Sequence, residues 1–255
     1  MGESMIEFRW SKMSSIRRRY TLRLVGRVLI LMAAIVLYFV LPGQFHVLEG
    51  WMFFDGFTLL HLLWGVWLVD MAAQLWPFHK HLSIGSLKLF RKNFRPIVEK
   101  VNLEAMKNYI TNTTKAAFKV MLVWVMLITL IGVGYFSGLY DRKILFLITV
   151  VFYVCDLICV LIWCPFRLIM HNRCCTTCRI FNWDHLMMFS PLIFVDSFYS
   201  WSLVLISAVV VLVWECCIFL YPERFWEETN VSLQCAKCTD KLCTQYCRKL
   251  RKENA

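Results

Sequence analysis

Lysine and arginine are absent from long stretches of the chain, among them those between Arg27 and Lys80, between Lys119 and Arg142, and between Arg179 and Arg224. A cation at mid-bilayer costs at least ~2.5–3.5 kcal/mol, so such gaps are where lipid-spanning segments can lie. The apolar fraction of 59% and the mean hydropathy of +0.58 lie well above the roughly 45–50% apolar content of soluble domains. An all-α integral membrane protein is therefore expected. The net charge of +11 falls in the connecting segments, as it does on surfaces facing the cytoplasm and anionic lipid headgroups. No basic domain with a recognition motif is present, so no nucleic-acid partner is expected.

The gaps divide the chain. Residues 1–23 read as a basic cytoplasmic N-terminus. Residues 24–77 form a first transmembrane hairpin, with spans Leu24–Leu41 and Phe57–Trp76. Arg17, Arg18 and Arg19 resemble a signal-peptide flank, but the run ends at Leu41-Pro42-Gly43 without a small-x-small cleavage pattern, and it reads as a retained helix. Residues 78–119 are a basic cytoplasmic segment, in which Ile97, Val101 and Ala105 recur at helical spacing and suggest an interfacial amphipathic helix. Residues 120–163 form a second hairpin, residues 164–180 a cytoplasmic cysteine segment, residues 181–221 a third hairpin and residues 222–255 a cysteine-rich tail. Trp51, Trp76, Trp163 and Trp183 suit interfacial anchors.

The stretch from Phe181 to Tyr221 decides the topology. As one helix it gives five spans and places the basic tail outside. As two helices, about Trp183–Phe198 and Trp201–Leu220, it gives six spans with both termini cytoplasmic, which the positive-inside tendency favours. The expected setting is a membrane with both termini on its cytoplasmic side.

Six spans bring Cys175-x-x-Cys178 and Cys235-x-x-Cys238 to one side. Two such pairs supply the four thiolates that a structural zinc site takes. Cys174, Cys243 and Cys247 are further candidate ligands, with Cys164 and His185 as spare donors. An iron–sulfur cluster would use the same residue types, but the tight run with a following proline is absent. Disulfides suit the outer face better than the cytoplasm. Free thiols that simply pack are a further alternative, as for Cys155, Cys159, Cys216 and Cys217 in the helices.

The stretches "NRCCTTCRIFNWDHLMMFSPLIF", "SFYSWSL" and "YPERFWEETNVSLQCAKCTDKLC" resemble a group of small uncharacterised polytopic membrane proteins of anaerobic bacteria. The resemblance covers the C-terminal third and implies no activity. It implies that the two cysteine segments belong to one recurring design.

Asp70, Asp156 and Glu215 lie within apolar spans, at positions 14, 13 and 15 from the outer ends at Phe57, Ile144 and Trp201. At 1.5 Å per residue each is ~20 Å deep in a core of ~30 Å. They form a candidate ion or proton path, provided they are protonated, hydrogen-bonded to groups such as Gln74 or Tyr153, or hydrated. No lysine or arginine within the spans is expected to neutralise them; Lys119 or Arg167 could meet them at helix ends. His61 suits polar packing. His185 beside Asp184 fits a metal ligand or a helix start. The sequons at Asn112 and Asn230 are expected to be cytoplasmic and unused. No phosphate-binding glycine loop, H-E-x-x-H or nucleophile–base signature appears, so no catalytic residue is assigned. Three functions follow: a scaffold, sensor or accessory subunit with a zinc cap; a proton- or cation-coupled transporter or channel; and a redox protein with an iron–sulfur or dithiol centre.

Overall fold

The computed structural model describes residues 14–76, 90–97, 102–172 and 178–234, and helices joined by turns make up nearly all of them. No strand forms among the described residues; two isolated bridges, Gly50 with Ser197 and Pro96 with Asn230, are the extended pairings.

Helix α1 (Ser15–Val40) starts where the Ser14 hydroxyl accepts from Arg17 N at 3.1 Å, and it stops at the Pro42-Gly43 pair. It therefore begins well before Leu24, and Arg27 lies inside it. Helix α2 (Leu59–Leu75) is capped by Thr58 and His61. His61 accepts from Thr58 N at 3.0 Å on Nδ1 and donates to the Phe53 carbonyl at 2.8 Å from Nε2, so it packs and caps. Helix α3 (Leu103–Phe136) runs 34 residues from an Asn102 cap. Helix α4 (Arg142–Leu161) opens on Asp141, whose carboxylate accepts from Ile144 N at 2.8 Å. A single turn, α5 (Arg167–Met170), precedes α6 (Asp184–Phe189) and α7 (Phe198–Leu220). Four of these, α1, α3, α4 and α7, are long and apolar enough to cross a membrane, while α2 is shorter at 17 residues.

Two expectations change. Of the amphipathic stretch, Ile97 is not helical, Val101 lies outside the described residues, and the residues from Leu103 onward are the first turns of α3 rather than a separate helix. No glycine or proline falls between Leu103 and Ile131 to break the helix, which at ~1.5 Å per residue outruns a ~30 Å core. The second concerns 181–221, where the less favoured alternative of one continuous helix also falls away. Arg179 Nη2 meets Glu215 Oε2 at 2.6 Å, whereas 36 residues of continuous helix would hold them ~54 Å apart.

The chain instead rises from Arg179 to Val195 through a 3-10 stretch (Arg179–Trp183), α6 and a second 3-10 stretch (Ser190–Phe194). The expected Trp183–Phe198 helix is thus a chain of short pieces. Pro191, lacking an N–H, interrupts the α-helical ladder there. At its upper end Gly50 N donates to Asp196 O and Phe198 N to Gly50 O, both at 2.9 Å, which ties it to the loop between α1 and α2. Irregular backbone inside an apolar bundle is tolerable only where protein covers it, and Phe189, Leu192 and Val195 are buried.

This strand of short helices fills the space between α4 and α7 and touches α3. Around it, α1 packs on α4 and α2 on α7. Trp67 of α2 is the centre of the core, with Phe189 at 5.1 Å and Phe146 at 6.0 Å between ring centroids. On α3, Gly132 leaves room for the Phe194 ring; a Cβ there would lie 2.5 Å from it. At the other end, residues 90–97 pair with 222–234. Val231 N donates to Arg95 O at 2.9 Å and Ser232 Oγ to Asn93 O at 2.7 Å. The Asn230 side chain is fully buried there and donates to Arg224 O at 2.9 Å, so this sequon offers no free amide.

Candidate functional site

Four elements bring a cluster of ionisable side chains together inside the bundle: α1, α2, α4 and α6. Arg27 of α1 donates from Nη1 to Asp156 Oδ2 at 2.6 Å and to the Tyr153 carbonyl, also at 2.6 Å. Its guanidinium lies 3.8 Å from the Tyr153 ring centroid. Desolvated cation–π contacts of this kind add about 2 kcal/mol. The Tyr153 hydroxyl donates to Asp70 Oδ2 at 3.4 Å.

Asp70 and Gln74 are one helical turn apart on α2, so the same face that presents Asp70 to Tyr153 presents Gln74 to α6. Gln74 Nε2 lies 2.9 Å from both oxygens of Asp184 and 2.9 Å from His185 Nδ1. His185 Nδ1 is also 3.1 Å from Asp184 Oδ1. These two contacts are alternatives. A protonated Nδ1 donates to the carboxylate, whereas an unprotonated one accepts from the Gln74 amide. The imidazole thus holds a proton position that its neighbours can read either way. Gln74 Oε1 is buried and has no hydrogen-bond partner.

Electrostatics set the character of the cluster. Asp70, Asp156 and Asp184 all act on His185, and among the described residues of the cluster the cations are Arg27 and, when protonated, His185. Carboxylates therefore outnumber cations even with the imidazole charged. A surplus negative charge in a low-dielectric interior is costly unless a proton, cation or water meets it.

Two of the three expected acids, Asp70 and Asp156, belong to this cluster. Glu215 does not. It pairs with Arg179, and its Oε1 accepts from Trp183 Nε1 at 2.8 Å. The expectation that no cation inside the spans would neutralise the acids is overturned for Asp156 and Glu215. Arg27 is carried into the bundle on α1, and Arg179 reaches Glu215 from the start of the rising segment. Lys119 and Arg167 are not their partners. Asp184 and His185 take the helix-start role: Asp184 opens α6, accepting from His185 N at 2.8 Å, and its carboxylate also lies 3.1 Å from the imidazole Nδ1.

Beside the cluster lies a cavity of about 280 Å³ between α3, α4, residues 164–172 and residues 178–188. Its walls are apolar, with Trp124, Phe152 and Met188 among them, and Asp156 and Asp184 face it. Cys155, Cys159, Cys164 and Cys178 line it too.

Of the expected metal ligands, Cys178 is described, half-buried and not in a disulfide. Cys174, Cys175, Cys235, Cys238, Cys243 and Cys247 lie outside the described residues. Among the described residues no three His, Cys, Asp or Glu side chains stand close enough to share a metal ion. Tyr109, on the part of α3 that precedes the span at Val120, stacks on Trp226 at 5.5 Å. Burial first, and then Glu227 and Cys178, push its hydroxyl up to about 12. No family profile, curated protein or solved structure matches the chain.

Proposed function

We propose that the chain is a multi-pass membrane protein that takes up a proton or small cation at the Arg27–Asp70–Asp156–Asp184–His185 cluster and passes it across the bilayer. The observation that carries this reading is the surplus of carboxylates over cations in the cluster, which also holds the buried, unpartnered Gln74 Oε1. Six crossings are proposed, with the segment from Arg179 to Val195 as the fifth. The Arg179–Glu215 pair at one end and the Gly50–Ser197 bridge at the other support it. Both termini then face the cytoplasm of a bacterial cell, where the arginines at the start of α1 meet anionic headgroups.

Asp70 is the residue to test, because it makes a single long hydrogen bond and no ion pair here, so its neutral isostere should fold. In liposomes with an imposed potential, protein-dependent proton or sodium flux is expected, and Asp70→Asn should lower it at least about tenfold, ~1.4 kcal/mol in barrier terms. Flux that is absent in the wild type, or equal in the variant, refutes the reading.

A second reading concerns the cysteine segments. Cys178 flanks one of them and residues 226–234 lead into the other, and both approach Tyr109. We propose that 164–180 and the tail share a structural zinc ion at the cytoplasmic end, through Cys175, Cys178, Cys235 and Cys238. Metal analysis of protein purified without oxygen should find one zinc per chain, as four thiolates require. Either Cys175→Ser or Cys235→Ser should release it, and full retention in Cys175→Ser rules out the shared site.

A further inference from the structure

We propose that Cys159 and Cys164 form a two-coordinate site for a soft monovalent metal ion, copper(I) or its analogue silver(I), in the wall of the cavity beside α4. The site follows from how α4 ends. The helix stops at Leu161, and Pro165 cannot continue it. Trp163 N turns back to the Ile158 carbonyl at 3.1 Å, so Cys164 folds beside the last turn that carries Cys159. The two thiols are within hydrogen-bonding distance of each other. Both face the cavity, and neither is in a disulfide.

Donor number selects the ion. Zinc takes four ligands and calcium or magnesium six or more, mostly oxygen. No group of three His, Cys, Asp or Glu among the described residues could supply such a shell. Two thiolates satisfy a d10 monovalent ion, and soft sulfur donors select copper(I) over harder cations. Met187 and Met188 line the same cavity and add thioethers of the same softness. The Asp156 and Asp184 carboxylates in its wall attract a cation, and Arg167, also lining it, offsets the charge of an anionic bis-thiolate. Binding breaks two S–H bonds, forms two S–metal bonds and releases two protons to solvent. No electron moves when copper is supplied as copper(I).

The test uses the full chain in detergent, without oxygen. Copper(I) is delivered from a chromophoric chelator, followed by N-ethylmaleimide and residue-level mass spectrometry. Copper(I) should slow alkylation of Cys159 and Cys164 together by about tenfold or more, the protection expected at tenfold occupancy over the dissociation constant. Cys216 and Cys217 on α7 serve as internal controls and should be unaffected. The double variant Cys159→Ser/Cys164→Ser, which keeps size and hydrogen bonding, should bind one copper fewer than the wild type. Unchanged alkylation of Cys159 and Cys164 at saturating copper(I) overturns the proposal, as does unchanged stoichiometry in the double variant. Equal protection by zinc(II) overturns the assignment to a soft monovalent ion. Copper held by other cysteines appears at those residues and leaves the outcome legible. Asp70→Asn should protect Cys159 and Cys164 as the wild type does, so loss of ion flux and loss of copper binding are independent results.

Discussion

Asp156→Asn should cost about 3–5 kcal/mol of unfolding free energy, the loss typical when one partner of a buried ion pair is removed. Unfolding in mixed detergent micelles is the measurement. The side chains of Arg27 and Asp156 are 12% and 21% exposed, so neither charge can be left to water. The two single variants should differ. Without Asp156 the guanidinium stays charged, because arginine does not lose its proton in proteins, and it loses its ion-pair partner while keeping the Tyr153 ring and carbonyl. Without Arg27, as in Arg27→Met, the carboxyl can take up a proton and become neutral, so the loss should be smaller. The double variant Arg27→Met/Asp156→Asn should recover most of the loss, since removing both charges avoids the unpaired one. Additive losses across the cycle would show that the two side chains act separately.

What the sequence made legible follows the reach of each signal. Cation-free apolar runs are local, and they mark α1, α2, α4, α7 and the upper part of α3 to within a few residues, apart from the early start of α1. Periodicity also found the amphipathic part of α3. It could not tell that this part is continuous with the span, because a helix that leaves the bilayer changes its surroundings without changing its backbone. The segment from Arg179 to Val195 was harder. Asn182, Asp184, His185 and Pro191 break the apolar pattern, and burial among α3, α4 and α7 is what makes the broken helix tolerable.

The cluster was half legible. Asp70 and Asp156 stood out because acids are rare in apolar spans, and equal depth placed them together. Arg27 was missed because it sits near the cationic end of its span, where an arginine ordinarily belongs to the headgroup region. Its partners Tyr153 and Asp156 lie 126 and 129 residues away in sequence. Such pairing depends on α1 packing against α4, which no local pattern encodes. Glu215 was misassigned for the same reason: depth alone put it with the other acids, and the return of the chain to Arg179 gives it another partner.

That return makes Glu215→Leu the sharpest probe of the topology. Glu215 holds both Arg179 at 2.6 Å and the Trp183 indole N–H at 2.8 Å, fastening the base of the rising segment to α7. Arg179 Nε is already buried without a partner, so losing the carboxylate leaves a guanidinium with little to bind and an orphaned indole donor. The side chains are 13% and 28% exposed; water therefore reaches the pair in part, and a loss of about 2 kcal/mol is expected, below the full cost of a buried pair. The loss should be local first. Alkylation of Cys178, next to Arg179, should quicken before α4 or α7 loosens, because the lower turns of the segment open without the whole bundle. The charge-exchanged variant Arg179→Glu/Glu215→Arg should restore part of the stability and slow the alkylation again. If Cys178 reacts at the wild-type rate in Glu215→Leu, the segment is held by its apolar packing alone. The ion pair then no longer marks the point where the chain turns back toward the outer loop.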